Sequence, residues 1–130
     1  MRKTLTLFFA SLLALVVLQD SAFAVEDCKN VNIMVHNKSS STIEVKNLKV
    51  YDANDRKWRV ENVENKAIAA GGTQSWNQNL ANVGMAQIKL MTYYVNKLPK
   101  SDKWSSEKTH TTGSSFTCKD GMTIHIKISK

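Results

Sequence analysis

The chain has 130 residues, and 18 Lys and Arg against 11 Asp and Glu give it a formal net charge of +7. This length allows one domain with a modest core and excludes a second domain of ordinary size. The positive charge favours anionic partners in general, although a net charge of this size is also normal for the solubility of a small domain.

The N-terminal residues have the layout of a cleavable secretory signal. Arg2 and Lys3 precede an apolar run over residues 5–18, and the segment ends with the small-residue sequence Ala-Phe-Ala at 22–24. A membrane-spanning helix needs about 20 apolar residues, more than this run provides. We therefore expect residues 1–24 to be removed near Ala24. The mature domain, residues 25–130, is then secreted or periplasmic and has no transmembrane span.

The chain has only two cysteines, Cys28 and Cys118, which lie near the two ends of the expected mature domain. In an oxidising compartment, two cysteines in so small a domain predict one disulfide. Closing so long a loop stabilises the fold by about 4–5 kcal/mol in the chain-entropy model. Redox motifs place cysteines closer together, and structural zinc needs four ligands, so neither role is expected here.

Alternation of apolar and polar residues predicts strands along most of the mature chain. The first is centred on residues 31–35, and the second runs over residues 43–51. Within the second strand the apolar positions change phase, which predicts a β-bulge near Asn47. The turn sequence at residues 52–55 then leads to a return strand at residues 58–60.

The second half of the chain continues the same pattern. Residues 73–80 form a weak strand candidate, and residues 85–95 carry apolar groups on both faces, which is typical of a central strand. Residues 96–115 are polar and predict a long loop with one short strand near Trp104. A final strand covers residues 122–128. About seven short strands without a helical segment predict an all-β fold, a single antiparallel β-sandwich of immunoglobulin-like or similar type.

No catalytic signature is evident in the sequence. The three histidines are His36, His110 and His125, and no serine lies in a Gly-x-Ser-x-Gly motif. His125 alternates with isoleucines, which predicts that it projects outward from the last strand. The acidic turn at residues 52–55 is followed by basic residues, which disfavours a calcium site. We therefore expect a protein that is not an enzyme and that holds no cofactor or metal.

One segment, residues 93–104, interleaves lysines with aromatic groups in a region with little strand pattern. The candidate ligand-binding residues are Tyr93, Tyr94, Lys97, Lys100, Lys103 and Trp104. Lysines contact phosphate or carboxylate, and an exposed ring stacks on a sugar or base, or lies at a membrane interface. The alternative is that Trp104 packs in the core and the lysines are simply solvated. Trp58 and Trp76 are expected in the core, unless both are exposed on one face as a carbohydrate platform.

These features together favour an exported, non-enzymatic binding or accessory module. Its loops would recognise an anionic or envelope-associated partner, such as an anionic polysaccharide, lipid head groups or an acidic protein. Two alternatives stay open. One is a secreted or periplasmic inhibitor or immunity protein, and the other is a membrane-active effector that docks through Tyr93, Tyr94 and Trp104.

Overall fold

The computed structural model describes residues 26–52 and 55–130. The predicted signal, residues 1–24, lies outside the described residues. Within those two ranges the chain forms nine strands in two sheets and contains no helix. The described residues accordingly contain no helix of the length and hydropathy needed to cross a membrane. The all-β prediction is confirmed, with two strands more than the seven or so expected.

The smaller sheet has three strands in the order β5-β1-β9. They are β1 (Cys28–Asn37), β5 (Thr73–Leu80) and β9 (Thr123–Ile128). Strand β1 is antiparallel to β5 but parallel to β9, so the expectation of a fully antiparallel arrangement is wrong for this pair. Neighbouring parallel strands need a long connection between them, and here the whole of the intervening chain provides it.

The larger sheet has six strands and is antiparallel throughout. Its main path runs β3-β2-β6-β7, with β4 also paired to β2 and β8 to β6. The strands are β2 (Ile43–Asp52), β3 (Lys57–Glu61), β4 (Lys66–Ile68), β6 (Gln87–Asn96), β7 (Lys108–Thr111) and β8 (Phe116–Thr117). Strand β6 lies between β2 and β7, which confirms the central position predicted from its two apolar faces.

Two details of the larger sheet bear on the sequence predictions. The β2–β6 register shifts between Val45 and Asn47, which confirms the predicted bulge. The polar segment 96–115 is more ordered than expected, because it contains β7 and an isolated antiparallel bridge between Lys97 and Trp104. Such short edge strands form through backbone pairing with a neighbour and need no apolar alternation of their own.

Both sheets contribute side chains to one hydrophobic cluster. Alternate residues of the long strands are buried in it, as in β2, where Leu48 and Val50 are buried while Lys49 and Tyr51 are partly exposed. Complete burial of a Val, Leu or Ile side chain stabilises the fold by about 1.5–3 kcal/mol relative to exposure. The buried face therefore fixes which residues of each strand project outward.

The predicted disulfide between Cys28 and Cys118 is present, with the two Cα atoms 6.0 Å apart. Both cysteines are fully buried. Cys28 is the first residue of β1 and Cys118 directly follows β8, so the bond connects the smaller sheet to the larger one. A disulfide of this kind is consistent with an oxidising extracellular or periplasmic location.

Candidate ligand-binding face

The outer face of the larger sheet carries aromatic rings and lysines. In β2, β3 and β6 the residues that alternate with the buried ones project away from the core. We call this surface the aromatic–lysine face. Its residues are Lys49, Tyr51, Trp58, Val60, Lys89, Met91 and Tyr93.

The register of the strands aligns these residues in rows. Tyr51 lies opposite Trp58 on one side and opposite Lys89 on the other. In the next row Lys49 lies between Val60 and Met91. Residues directly opposite each other in an antiparallel pair have Cβ atoms about 4.5–5.5 Å apart, so each row forms a continuous surface across three strands.

Direct contacts hold the side chains of this face. The ring centroids of Tyr51 and Trp58 are 5.3 Å apart in a tilted arrangement, within the range in which aromatic pairs attract. The Nζ atom of Lys49 lies 4.7 Å from the ring centroid of Tyr93, which is a cation–π contact. Trp58 nevertheless remains 37% exposed and Val60 54%. The face thus combines ordered rings with accessible apolar surface.

The charge of the aromatic–lysine face is positive. Among the described residues of β2, β3 and β6, the outward positions include one carboxylate, Glu44, which forms an ion pair with Lys46. Asp52 lies on the inner side and pairs with Arg59 at 3.1 Å. Lys49 and Lys89 are therefore not neutralised by an acidic neighbour on the face, and they are placed to attract anionic groups.

The structure separates the six residues that sequence analysis grouped as a binding segment. Tyr93 projects outward and belongs to the aromatic–lysine face. Tyr94 is only 7% exposed and lies in the hydrophobic cluster, so the expectation that its ring contacts a ligand or membrane is wrong. The reason is the alternation of β6, which turns one of two adjacent tyrosines inward.

The remaining four candidates lie together in the loop after β6. The backbones of Lys97 and Trp104 form an isolated antiparallel bridge, and the Leu98 N–H donates to the Lys103 carbonyl oxygen at 2.9 Å. The Lys97 Nζ atom is 3.5 Å from Asp102, and both side chains are exposed, so this ion pair contributes little. The indole of Trp104 is 37% exposed and not in the core. Lys97 and Lys100 line a shallow groove with residues 40–42.

The other two tryptophans have different surroundings from each other. Trp76 is 5% exposed, and its Nε1 donates to the Glu64 carbonyl oxygen at 2.8 Å. Of these two residues only Trp58 is on the surface, so Trp58 and Trp76 do not form a shared platform. Sequence analysis did not identify Lys49 and Tyr51 as partners of Trp58. Their alternation with Leu48 and Val50, continued across the predicted hairpin, is the signal that could have found them.

A second polar cluster lies on the outer face of the smaller sheet. The Nε2 atom of His36 is 2.9 Å from Nδ1 of His125, and Nδ1 of His36 is 3.0 Å from Oγ1 of Thr73. Burial lowers the pKa of His36, and the charges of His125, Lys38 and Lys127 lower it further. The side chain of His125 projects outward, as the alternation of the last strand predicts.

Comparison of the chain with protein-family models, with curated proteins and with solved structures found no match.

Proposed function

We propose that this protein is an exported, non-enzymatic binding module that recognises an anionic polysaccharide on its aromatic–lysine face. In this proposal the two sheets pack as a β-sandwich of immunoglobulin-like or related type. The observation that carries the proposal is the cross-strand row in which Trp58, Tyr51 and Lys89 lie side by side on the exposed surface of the larger sheet.

The chemistry of the face matches that of an acidic sugar polymer. The apolar C–H surface of a sugar ring packs on an aromatic side chain, while its carboxylate or sulfate groups form charge-assisted hydrogen bonds with lysine. Trp58 on β3 and Lys89 on β6 are two strands apart, about 10 Å, so the face is wide enough to contact more than one sugar ring. Repeated units along the polymer then add avidity.

Order favours the face over the lysine-rich loop as the binding surface. The side chains of the face lie on paired strands, where Tyr51 contacts Trp58 and Lys49 contacts Tyr93, so less conformational freedom is lost when a ligand binds. In the loop, the side chains of Lys97 and Asp102 are exposed and held only by a weak ion pair, so more freedom is lost on binding there. The proposal therefore moves the expected recognition site from the loop to the sheet.

The expectation of export supports an extracellular type of ligand. The predicted signal and the buried disulfide both fit a compartment in which acidic polysaccharides occur. The outward positions of β2, β3 and β6 offer rings and ammonium groups but neither a histidine nor a pair of free carboxylates. Rings and ammonium groups bind a sugar without hydrolysing it, which is the basis for proposing a non-enzymatic role.

The proposal is tested by measuring binding of the purified protein to polygalacturonate, an acidic polysaccharide, and to dextran, a neutral one. We expect binding to polygalacturonate at low salt and none to dextran. Trp58→Ala weakens this binding by about tenfold, because one stacking ring is lost. Trp104→Ala is the matched control, since its indole is also 37% exposed, and it retains wild-type affinity.

Lysine substitutions provide a second matched pair. Lys49→Gln removes one charge from the face and should weaken binding severalfold, while Lys119→Gln removes one from an exposed turn before β9 and should have little effect. If Trp104→Ala loses binding to polygalacturonate and Trp58→Ala does not, the binding site lies in the loop after β6. Binding to anionic vesicles without binding to polygalacturonate would favour the membrane-active alternative and overturn the proposal.

A further inference from the structure

Three side chains of the kinds that ligate copper project from the outer face of the smaller sheet. Met34 and His36 are two residues apart on β1, so their side chains project on the same side of the sheet. In the parallel register of β1 and β9, His125 lies opposite Met34, two residues from Lys127, which lies opposite His36. Residues 91 positions apart in the chain thus form one cluster on an exposed surface.

The spacing of the imidazoles fits a tetragonal metal ion. His36 Nε2 and His125 Nδ1 are 2.9 Å apart. Two nitrogen ligands about 2.0–2.1 Å from a metal and at right angles to each other lie about 2.9 Å apart, whereas the tetrahedral angle separates them by about 3.3 Å. In this structure the contact is a hydrogen bond between the two rings. Metal binding replaces the shared proton and turns each ring by about 45°, so that both lone pairs point at one ion.

Thr73 orients one of the two rings. Its Oγ1 lies 3.0 Å from Nδ1 of His36 and can accept a hydrogen bond from that nitrogen when it is protonated. The Nε2 lone pair of His36 then points toward His125. Histidines that ligate metals characteristically donate their other ring N–H to an oxygen in this way, which fixes the tautomer and the ring orientation.

We propose that Met34, His36 and His125 form a copper-binding site. Cu(II) has the highest affinity of the first-row divalent ions for nitrogen ligands and accepts tetragonal geometry, and a thioether is a soft ligand suited to Cu(I). The two histidines have no third His, Cys, Asp or Glu ligand beside them, because the described residues contain no group of three or more such side chains that could hold a metal ion. The remaining coordination positions are therefore left to water or to an external ligand.

The neighbouring charges give the proposal a distinctive consequence. Lys38 and Lys127 act electrostatically on His36, and Lys127 lies directly opposite His36 in the register. Their positive charges oppose a cation, so Lys127→Gln should tighten copper binding about twofold or more. An oxyanion held by the same imidazoles and lysines would show the opposite response, because it would lose a favourable charge.

The experiment is a titration of the purified protein with Cu(II) near neutral pH, followed by calorimetry and by electron paramagnetic resonance. We expect one Cu(II) per chain with nitrogen hyperfine splitting. His36→Gln and His125→Gln should each weaken binding by about tenfold or more. His110→Gln, which removes the third histidine from β7, is the matched control and should leave the affinity unchanged.

The role of Met34 is measured separately with Cu(I), by competition with a chromogenic Cu(I) chelator in the presence of ascorbate. Met34→Leu should weaken Cu(I) binding by about tenfold and change Cu(II) binding little. The proposal is overturned if both histidine variants bind Cu(II) as the wild type does, or if Zn(II) binds more tightly than Cu(II). If Met34→Leu binds Cu(I) with wild-type affinity, the Met34 thioether is not a ligand of the site. His125 is exposed, so its variant remains informative even if His36→Gln is less stable.

Discussion

Trp58 and Trp76 show how the position of one residue type on a strand decides its role. Trp76 lies opposite Ile33 on the inner side of the smaller sheet, where its ring packs in the hydrophobic cluster and its indole N–H is satisfied. Trp58 lies opposite Tyr51 on the outer side of the larger sheet. The first ring stabilises the fold through burial, and the second leaves apolar surface available to a partner.

Glu61 is a residue whose burial costs stability at neutral pH. Burial raises the pKa of its carboxyl above the ordinary value of a glutamate, and the charge of Arg59 opposes the rise. Because the folded state holds the proton more tightly, protonation of Glu61 stabilises the fold. This stabilisation is complete at a pH below the pKa of the unfolded state and is lost as the pH rises through the pKa of the folded state. Glu61→Gln should therefore raise the free energy of unfolding at neutral pH, by less than about 1 kcal/mol.

Urea unfolding of Glu61→Gln and of the wild type at neutral pH and at about pH 4 measures this effect. The difference between the two proteins should be larger at neutral pH than at the acidic one. A variant that is less stable than the wild type at neutral pH would show that the ionised carboxylate is favourable in the fold.

At the scale of the element, β6 determines both the core and the candidate site. Its inner residues, among them Ile88 and Leu90, are fully buried, and its outer residues supply one side of the aromatic–lysine face. Thr92 is also fully buried in this strand, and among the described residues its Oγ1 has no hydrogen-bond partner. A buried hydroxyl without a partner costs about 1–3 kcal/mol.

Thr92→Val replaces that hydroxyl with a methyl group of similar size and keeps a β-branched side chain in the strand. We expect the variant to be more stable than the wild type by about 1 kcal/mol, because the penalty for the unpaired hydroxyl is removed. The midpoint of chemical unfolding should rise while its slope stays the same. A lower midpoint would indicate that the hydroxyl is satisfied in solution.

Most of the strands could be predicted from the sequence, and the exceptions are short. Strands β1, β2 and β9 were expected near their observed bounds from an apolar repeat at every second position, β6 from its two apolar faces, and β3 and β5 from shorter patterns next to turn sequences. Strands β4 and β7 are short and lack that repeat. The candidate face was missed because Trp58 and Val60 are the apolar residues of β3, and their alternation alone suggests that they meet the core, whereas both project outward.

At the scale of the whole molecule, the two sheets share one hydrophobic cluster and one disulfide, and each has a distinct outer face. The aromatic–lysine face belongs to the larger sheet and the cluster of Met34, His36 and His125 to the smaller one. Substitutions on the two faces should therefore act independently of each other. If both proposals hold, the two ligands should bind independently of each other.

The disulfide should contribute strongly to the stability of this scaffold. It joins residues 90 positions apart and connects the two sheets, so it restricts a long segment of the unfolded chain. The double variant Cys28→Ala and Cys118→Ala should lose about 2–5 kcal/mol of the free energy of unfolding, measured with urea. An unchanged free energy of unfolding would show that the two sheets associate without this link.

The most direct test of the central claim is the dissociation constant for polygalacturonate of Trp58→Ala compared with that of Trp104→Ala. Both substitutions remove an indole that is 37% exposed, one from the aromatic–lysine face and one from the loop after β6. If the sheet face binds the polysaccharide, Trp58→Ala is weakened by about tenfold and Trp104→Ala matches the wild type. Equal affinities of Trp58→Ala and the wild type would contradict the claim.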